Sequence, residues 1–258
     1  MWCYSWNVNG IRAAGKKGFC HWLAAARPDI LCVQETKAHR EQVEPDLQTP
    51  PGYDSVWHSA RKRGYSGVAA YFTPEWTPQD VQPLGDAAFD DEGRAQALIY
   101  ADWVLINAYF PNSQADRKRL DYKLAFFDAI SEACRSYRDS GKHVVLCGDY
   151  NVSHKDIDLA RPDANRDNPG FYPEECAAMD AFLAGGFVDI FRETHPDEPE
   201  HYTWWSYRTR ARERNIGWRL DYHCIDEALR PQVVQSIILA DVPGSDHCPV
   251  ALELDGAL

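Results

Sequence analysis

The chain has 258 residues, 45% hydrophobic and 26% charged, with a formal net charge of −12. These are ordinary proportions for a soluble globular protein with a sizeable core. They come with no apolar run of membrane-spanning length and no basic-then-apolar start after Met1-Trp2-Cys3-Tyr4, so a cytoplasmic protein without a membrane partner is expected.

In chain order, residues 2–8 read as a first strand ending at Asn7-Val8-Asn9-Gly10. Phe19, Trp22, Leu23 and Ala26 carry helical spacing over 16–26. Ile30 to Val33 is a buried strand that runs into Gln34-Glu35-Thr36-Lys37, and a short polar helix is expected at 40–47. Strands at 53–59 and 67–72 flank the basic triplet Arg61-Lys62-Arg63. Pro74, Pro78 and Pro83 mark irregular edge structure. Residues 94–101 and 103–110 form a hairpin ending in Tyr109-Phe110-Pro111-Asn112. The longest helix is expected over 115–138, with Leu120, Leu124, Phe127, Ile130 and Cys134 on one stripe. Val144-Val145-Leu146-Cys147 is a buried strand that ends in Gly148-Asp149-Tyr150-Asn151. Residues 153–173 read as a long surface loop, and Pro173 opens a helix closed by Gly185-Gly186. Residues 195–217 are mostly loop, and strands follow at 218–226, 233–240 and 249–254. Strands this numerous and close fit two packed sheets with helices outside, and nothing divides the chain, so 1–258 is expected to be a single domain.

The eight cysteines are scattered, without a C-x-x-C pair. Cys3, Cys32, Cys147 and Cys224 lie in apolar runs and read as small core residues of a reduced protein. The acidic balance argues against a nucleic-acid partner, but the charge is uneven. Residues 1–28 carry only Arg12, Lys16, Lys17 and Arg27, and Arg208, Arg210, Arg212, Arg214 and Arg219 crowd one stretch. Any one such run also reads as a solvated loop.

Polar groups recur where apolar runs end: Asn7 and Asn9, Glu35, Tyr109 with Asn112, Asp149 with Asn151, Asp221, and Asp246 with His247. One such ending is routine turn chemistry. Six that converge would build a pocket of carboxylates, amides, one phenol and one imidazole, an inventory suited to a hard divalent cation and phosphate. No Cys/His group has zinc spacing, and there is no Walker-type glycine loop or G-x-S-x-G.

The chain resembles the exonuclease III family of AP endonucleases, within the endonuclease/exonuclease/phosphatase superfamily. The resemblance rests on Trp6-Asn7-Val8-Asn9-Gly10-Ile11-Arg12, Val33-Gln34-Glu35-Thr36-Lys37, Lys62-Arg63-Gly64-Tyr65-Ser66-Gly67-Val68 and Tyr109-Phe110-Pro111-Asn112. It continues through Gly148-Asp149-Tyr150-Asn151-Val152, Asn168-Pro169-Gly170-Phe171, Tyr202-Thr203-Trp204-Trp205, Gly217-Trp218-Arg219-Leu220-Asp221-Tyr222 and Ser245-Asp246-His247-Cys248-Pro249. These motifs span nearly the whole chain. Position 9 is Asn where animal-type relatives carry Asp.

The resemblance implies a four-layer α/β sandwich, two packed mixed sheets flanked by helices. It implies Glu35 as principal metal ligand with Asn9 or Asp246, the metal set extending to Asp149, Asn151 and His247. The ion would be Mg2+, with Mn2+ as the alternative. Asp149 would activate water. Asn7, Asn112, Asn151 and His247 would hold the phosphate, with Tyr109 stabilising the transition state and Asp221 buttressing His247. Trp204, Trp218 and Leu220 would wall an abasic-sugar pocket, and Arg12, Lys62, Arg63, Tyr65, Arg208 and Arg210 would meet DNA. The implied activity is 5′ incision at abasic sites in double-stranded DNA, with 3′–5′ exonuclease and 3′-phosphatase or 3′-phosphodiesterase action on blocked ends, by a monomer. An end-processing enzyme with little abasic cleavage, a phosphatase of a non-DNA phosphoester, and a DNA-binding scaffold with a dead site are the alternatives.

Overall fold

A computed structural model describes residues 1–255. Among them the strands are, in order, β1 (Trp2–Asn7), β2 (Ile30–Gln34), β3 (Asp54–His58), β4 (Val68–Phe72), β5 (Asp80–Pro83), β6 (Ala95–Ile99), β7 (Trp103–Tyr109), β8 (His143–Asp149), β9 (Phe187–Asp189), β10 (Asp221–Asp226), β11 (Val233–Ile238) and β12 (Val250–Leu254). They form two six-stranded sheets, ordered β11-β12-β1-β2-β4-β3 and β5-β6-β7-β8-β10-β9. The helices are α1 (Ile11–Lys16), α2 (Phe19–Ala26), α3 (Pro45–Gln48), α4 (Ala87–Asp90), α5 (Leu120–Asp139), α6 (Pro173–Ala184) and α7 (Ile190–Thr194). This is the four-layer sandwich of packed mixed sheets and flanking helices.

The central strands are apolar on both faces because both are covered. Val144 and Leu146 of β8 face Phe126, Phe127 and Ile130 of α5. Val145 and Cys147 face the other sheet, against Cys3, Ile30 and Cys32. On the first sheet, Trp6, Leu31 and Tyr71 receive Ile11, Phe19 and Leu23 of α1 and α2. One polar pin crosses between the sheets: Gln34 Nε2 donates to Asn107 Oδ1 at 2.8 Å, and Asn107 Nδ2 donates to the Ala69 carbonyl at 2.9 Å.

Strand direction brings the polar endings together. β1 runs parallel to β2 with Asn7 beside Gln34, and β7 runs parallel to β8 with Tyr109 beside Asp149. β10 is antiparallel to β8 and starts at Asp221, opposite Asp149. Ends of parallel strands and the start of an antiparallel neighbour therefore share one rim. β7 and β8 approach closely there: Gly148 has φ 145°, and a Cβ on it would lie 1.8 Å from the Ala108 carbonyl oxygen, so no side chain is tolerated.

Several boundaries depart from the sequence expectations. The helix expected at 16–26 begins only at Phe19, because Gly18 adopts φ 97° ahead of it, and a further helix, α1, precedes it over Ile11–Lys16. The long helix begins at Leu120, since Asp116 in the preceding turn has φ 57°. β9 and α7, too short for periodicity to reveal, occupy 187–194. The last long loop before β10 reaches Leu220, and Trp218 makes only isolated bridges, to Leu159 and Trp204.

The segment 153–173 is not wholly a surface loop, because Ser153 and Asp158 are buried. Asp158 is held by Arg219, a residue counted above with a basic cluster but in fact fully buried. Its Nε donates to Asp158 Oδ1 at 2.9 Å, and its two terminal nitrogens donate to the Asp189 carboxylate at 3.0 and 2.6 Å. Burial opposes the Asp158 carboxylate, but the Arg219 and Arg192 guanidinium groups outweigh it and hold the carboxyl below its ordinary range. Such a depressed group stabilises the fold above its unfolded titration point and loses that contribution as pH falls through the folded one. Arg219→Met would strand Asp189 and leave Asp158 with Arg192 alone, and is expected to cost about 3–5 kcal/mol at pH 7. The deficit should shrink as pH falls toward about 4, where carboxyl protonation sets in. Urea unfolding at several pH values checks this, and a deficit independent of pH would contradict it.

Candidate active site

At the shared rim a cavity of about 270 Å³ is lined by Glu35, Tyr109, Asn112, Asp149, Asn151, Asp246 and His247 on its polar side. Trp204, Trp218, Leu220 and the Asn168-Pro169-Gly170 turn complete the wall. Three of the loops carrying these groups turn abruptly. Asn9, Glu35, Lys37 and Asn151 all adopt left-handed backbone, with φ of 46°, 52°, 48° and 50°. Non-glycine residues hold that conformation only where surrounding bonds over-determine it. Here Gly10 N donates to the Glu35 carbonyl at 2.7 Å, and Lys37 N donates to the Ser66 carbonyl at 2.8 Å.

The carboxylates interlock. The Asn7 amide donates to Glu35 Oε1 at 2.9 Å and to Asp149 Oδ2 at 2.7 Å, joining groups from the two sheets. Asp149 also accepts from the Asn151 backbone N–H at 2.8 Å. His247 Nδ1 lies 2.8 Å from Asp221 Oδ2, and its Nε2 lies 3.8 Å from Asp149 Oδ2. Asp246 accepts from the Asn9 amide at 2.9 Å and the Trp204 indole at 3.1 Å. The Asn112 amide donates to Asn151 Oδ1 at 3.1 Å.

Burial raises the Asp149 carboxyl to about 7, His247 opposing the rise and Asp221 and Glu35 adding to it. Burial also opposes the His247 imidazolium, but Asp221 and Asp149 outweigh it and raise its pKa to about 10. Burial, then Glu35 and Asp149, push the Tyr109 phenol well up, keeping it a proton donor. For Glu35, burial is outweighed by Lys37 and Asn7, which keep it ionised.

A metal fits one side of this cluster. The Lys37 ammonium donates to Asn9 Oδ1 and lies 2.7 Å from Glu35 Oε2, so this oxygen pair already accommodates a cation. Glu35 and Asn9, with Asp246 tied to Asn9, are hard oxygen donors that suit a divalent cation holding several waters. Donor atoms of Asp149, Asp221 and His247 also cluster within 4.8 Å of one another.

The aromatic side is equally defined. The Trp204 and Trp218 rings meet edge to face, with centroids 6.3 Å apart. Gly170, at φ 91°, lets Trp218 approach: a Cβ there would lie 3.4 Å from its ring and 3.2 Å from the Asn151 carbonyl oxygen.

The polar endings and the aromatic trio anticipated from sequence thus come together. Asn7 and Asn9 stand behind the cavity wall, the Asn7 amide being fully buried and spent on carboxylates. Arg12, Lys62, Arg63, Arg208 and Arg210 are exposed. Arg212 instead donates to the Ser245 carbonyl at 3.1 Å and the Val242 carbonyl at 2.7 Å. The Tyr65 hydroxyl accepts from Arg94 at 3.0 Å and Arg119 at 2.6 Å.

Sequence reasoning missed two supports. The first is Lys37. The second is the fully buried pair Lys123–Glu175, at 2.8 Å, whose signal was a lysine inside the apolar stripe of α5. Lys123 donates to the Asn151 carbonyl, while Glu175 accepts from Gly170 N at 2.8 Å. One ion pair therefore fixes two adjoining turns of the cavity wall.

The sequence model of the Endonuclease/Exonuclease/phosphatase family matches residues 4–247. An exodeoxyribonuclease of Bacillus subtilis is 46% identical over 96% of this chain and 97% of its own length. An AP endonuclease from Leishmania major superposes with a TM-score of 0.89 at 30% identity, covering 99% of this chain and 88% of that one. A 3′ phosphatase from Neisseria, bound to a product DNA hairpin, superposes at 0.88 with 28% identity, covering 99% of this chain and all of that one.

The His247 pair gives a direct expectation. Without added divalent cation, the imidazole should stay protonated through neutral pH, and Asp221→Asn should lower its titration point by at least about one unit. Nitrogen NMR of labelled histidine reads this, and an unchanged titration would show that Asp221 does not hold the ring.

Proposed function

The chain belongs to the endonuclease/exonuclease/phosphatase family, and from that membership we propose a DNA-repair phosphodiesterase that cleaves 5′ to abasic sites and also trims 3′ ends. The observation that carries this reading is the union of two walls in one cavity. Asp149 and His247 line the same cavity as Trp204, Trp218 and Leu220, with the Trp204 and His247 rings 6.5 Å apart, so a small apolar sugar pocket adjoins the hydrolytic groups. A deoxyribose without its base fits such a space, whereas an intact nucleotide would have to leave its stack at a cost of a few kcal/mol.

Each residue then has a task. Asp149, with a carboxyl near neutrality, accepts the proton of the attacking water. Asn112 and the Tyr109 phenol offer hydrogen-bond donors to the phosphate oxygens, while the Asn151 amide donates to the Phe110 carbonyl at 3.0 Å and to Asp149 Oδ2 at 3.2 Å and so positions the base. The imidazolium of His247, held by Asp221, stabilises the charge that develops there. Enzymes of this family are metal-dependent, and the hard oxygen donors support Mg2+, with Mn2+ as the alternative. When bound, the ion would neutralise phosphate charge and orient the leaving oxygen. Glu35, Asn9 and Asp246 would hold it.

Exposed Arg12, Lys62, Arg63, Arg208 and Arg210 would contact the backbone of double-stranded DNA, against the repulsion of an acidic remainder. Residues 1–258 would act as one catalytic domain in a cytoplasmic monomer. Among the described residues no helix is long and apolar enough to cross a membrane.

The decisive comparison uses duplexes carrying an internal tetrahydrofuran abasic analogue or a 3′-phosphate. With Mg2+ the internal analogue should be cut on its 5′ side, leaving a 3′-hydroxyl, and EDTA should abolish cleavage. Asp149→Asn should lower kcat about 10²–10⁴-fold. Trp218→Ala should cost the internal cut about tenfold or more, the value of one aromatic contact, and cost 3′-phosphate removal less. Brisk 3′-phosphate removal with the internal analogue left uncut would favour an end-processing enzyme, the activity named for the Neisseria neighbour.

A further inference from the structure

A second group of chemically competent side chains lies away from the cavity, in the dry layer between the two sheets. Cys147 of β8 and His223 of β10 are directly paired across an antiparallel ladder, so their side chains share one face with Cβ atoms roughly 5 Å apart. Cys3 of β1 projects toward them from the other sheet, and donor atoms of Cys3, Cys147 and His223 all fall within 4.8 Å of one another. The Cys32 thiol, from β2, adjoins the sulfurs of both Cys3 and Cys147. The three cysteines are fully buried, and His223 is 2% exposed.

Buried thiols alone are unremarkable core residues. The imidazole is different. His223 sits where apolar side chains fill the inter-sheet layer, yet its Nε2 finds no hydrogen-bond partner among the described residues. An unpaired polar group in such surroundings is costly. A bond to a metal would satisfy it, and two thiols converging on one imidazole supply three of the four donors of a structural zinc site, with the Cys32 thiol, beside Cys3 and Cys147, in place to swing in as the fourth. The four ligands stand at 3, 32, 147 and 223, so no local spacing in the sequence announces them.

We propose that Cys3, Cys32, Cys147 and His223 bind one Zn2+ ion, which staples the two sheets together. The soft sulfur donors separate it from the hydrolytic site, where oxygen donors favour hard cations. No open position faces solvent, so the ion is structural. It enters as the sheets pack, and its binding free energy adds to the stability of the fold.

The full chain carrying Glu35→Gln, which weakens the oxygen site, is produced in zinc-supplemented medium and dialysed in its native state against EDTA. Mass spectrometry of the digested protein should then find about one zinc per chain, released only on unfolding. Refolding with Co2+ should give a sulfur-to-metal charge-transfer band in the near ultraviolet. Cys147→Ala should lose that band, and His223→Phe, which fills the space with an apolar ring, should cut retained zinc at least about tenfold. Zinc in the refolding buffer should raise the Tm of the parent by at least about 5 °C and leave the Tm of His223→Phe unchanged. Should either variant fail to fold, the zinc content and cobalt spectrum of the parent decide alone. Less than about a tenth of an equivalent of zinc after dialysis, or a cobalt complex without the charge-transfer band, would overturn the proposal. A thiol count in the unfolded, unreduced, metal-free protein two short of the eight cysteines would also overturn it, in favour of a disulfide.

Discussion

The rim where the two sheets meet must hold Glu35, Asp149, Asp221 and Asp246 around one cavity of about 270 Å³, and most of the local structure answers that demand. Carboxylates so close and so far from bulk water would repel one another or take up protons. Each has a specific counterweight. Asn7 donates to Glu35 and Asp149, Lys37 pairs with Glu35, His247 stands between Asp221 and Asp149, and the Asn9 amide with the Trp204 indole caps Asp246. Apart from Lys37, two residues from Glu35, the counterweights come from other strands or loops than the carboxylates they serve, so the site exists only in the assembled sandwich. The left-handed turns at Asn9, Glu35 and Asn151 are the local cost of aiming these groups inward.

A surrounding set of buried ion pairs keeps the turns in place. Lys123 and Glu175 bind the Asn151 and Gly170 turns from below. Arg94 lies 4.9 Å above the Tyr109 ring, donates to its carbonyl oxygen at 3.0 Å, and is paired with Glu92. Arg219 anchors the strand that begins at Asp221 through Asp158 and Asp189. None of these groups reaches the cavity, yet each fixes the backbone of a residue that does. This division between reacting groups and distant charged supports is expected where geometry must hold to a fraction of an ångström.

The parts legible in the sequence are those with a short-range signature. Val144 to Cys147 is apolar without interruption, so a buried strand and its polar ending at Asp149 could be read directly, as could Ile30 to Val33 before Glu35. Gly18 sat inside the helix expected at 16–26 and marked, unused, the break between α1 and α2. Partner choice was not legible. Arg208, Arg212 and Arg219 look alike in a string of arginines, but the first is exposed, the second caps backbone carbonyls and the third is fully buried between two aspartates. Lys123 and Glu175 are 52 positions apart, and composition does not say which buried cation meets which buried anion.

Opposing donors set the ionisation of this carboxylate cluster, and Asn7 is the donor joining its two halves. The most direct measurement is the pH profile of kcat/KM on an internal abasic analogue, at saturating Mg2+, for the parent and Asn7→Ala. Removing a hydrogen bond that favours the ionised carboxylate raises its pKa, so the acid limb of the profile should move to higher pH by about one unit, with activity largely recovered above it. A uniform loss of rate at every pH, with the limb unmoved, would contradict the account and leave Asn7 as a phosphate contact alone.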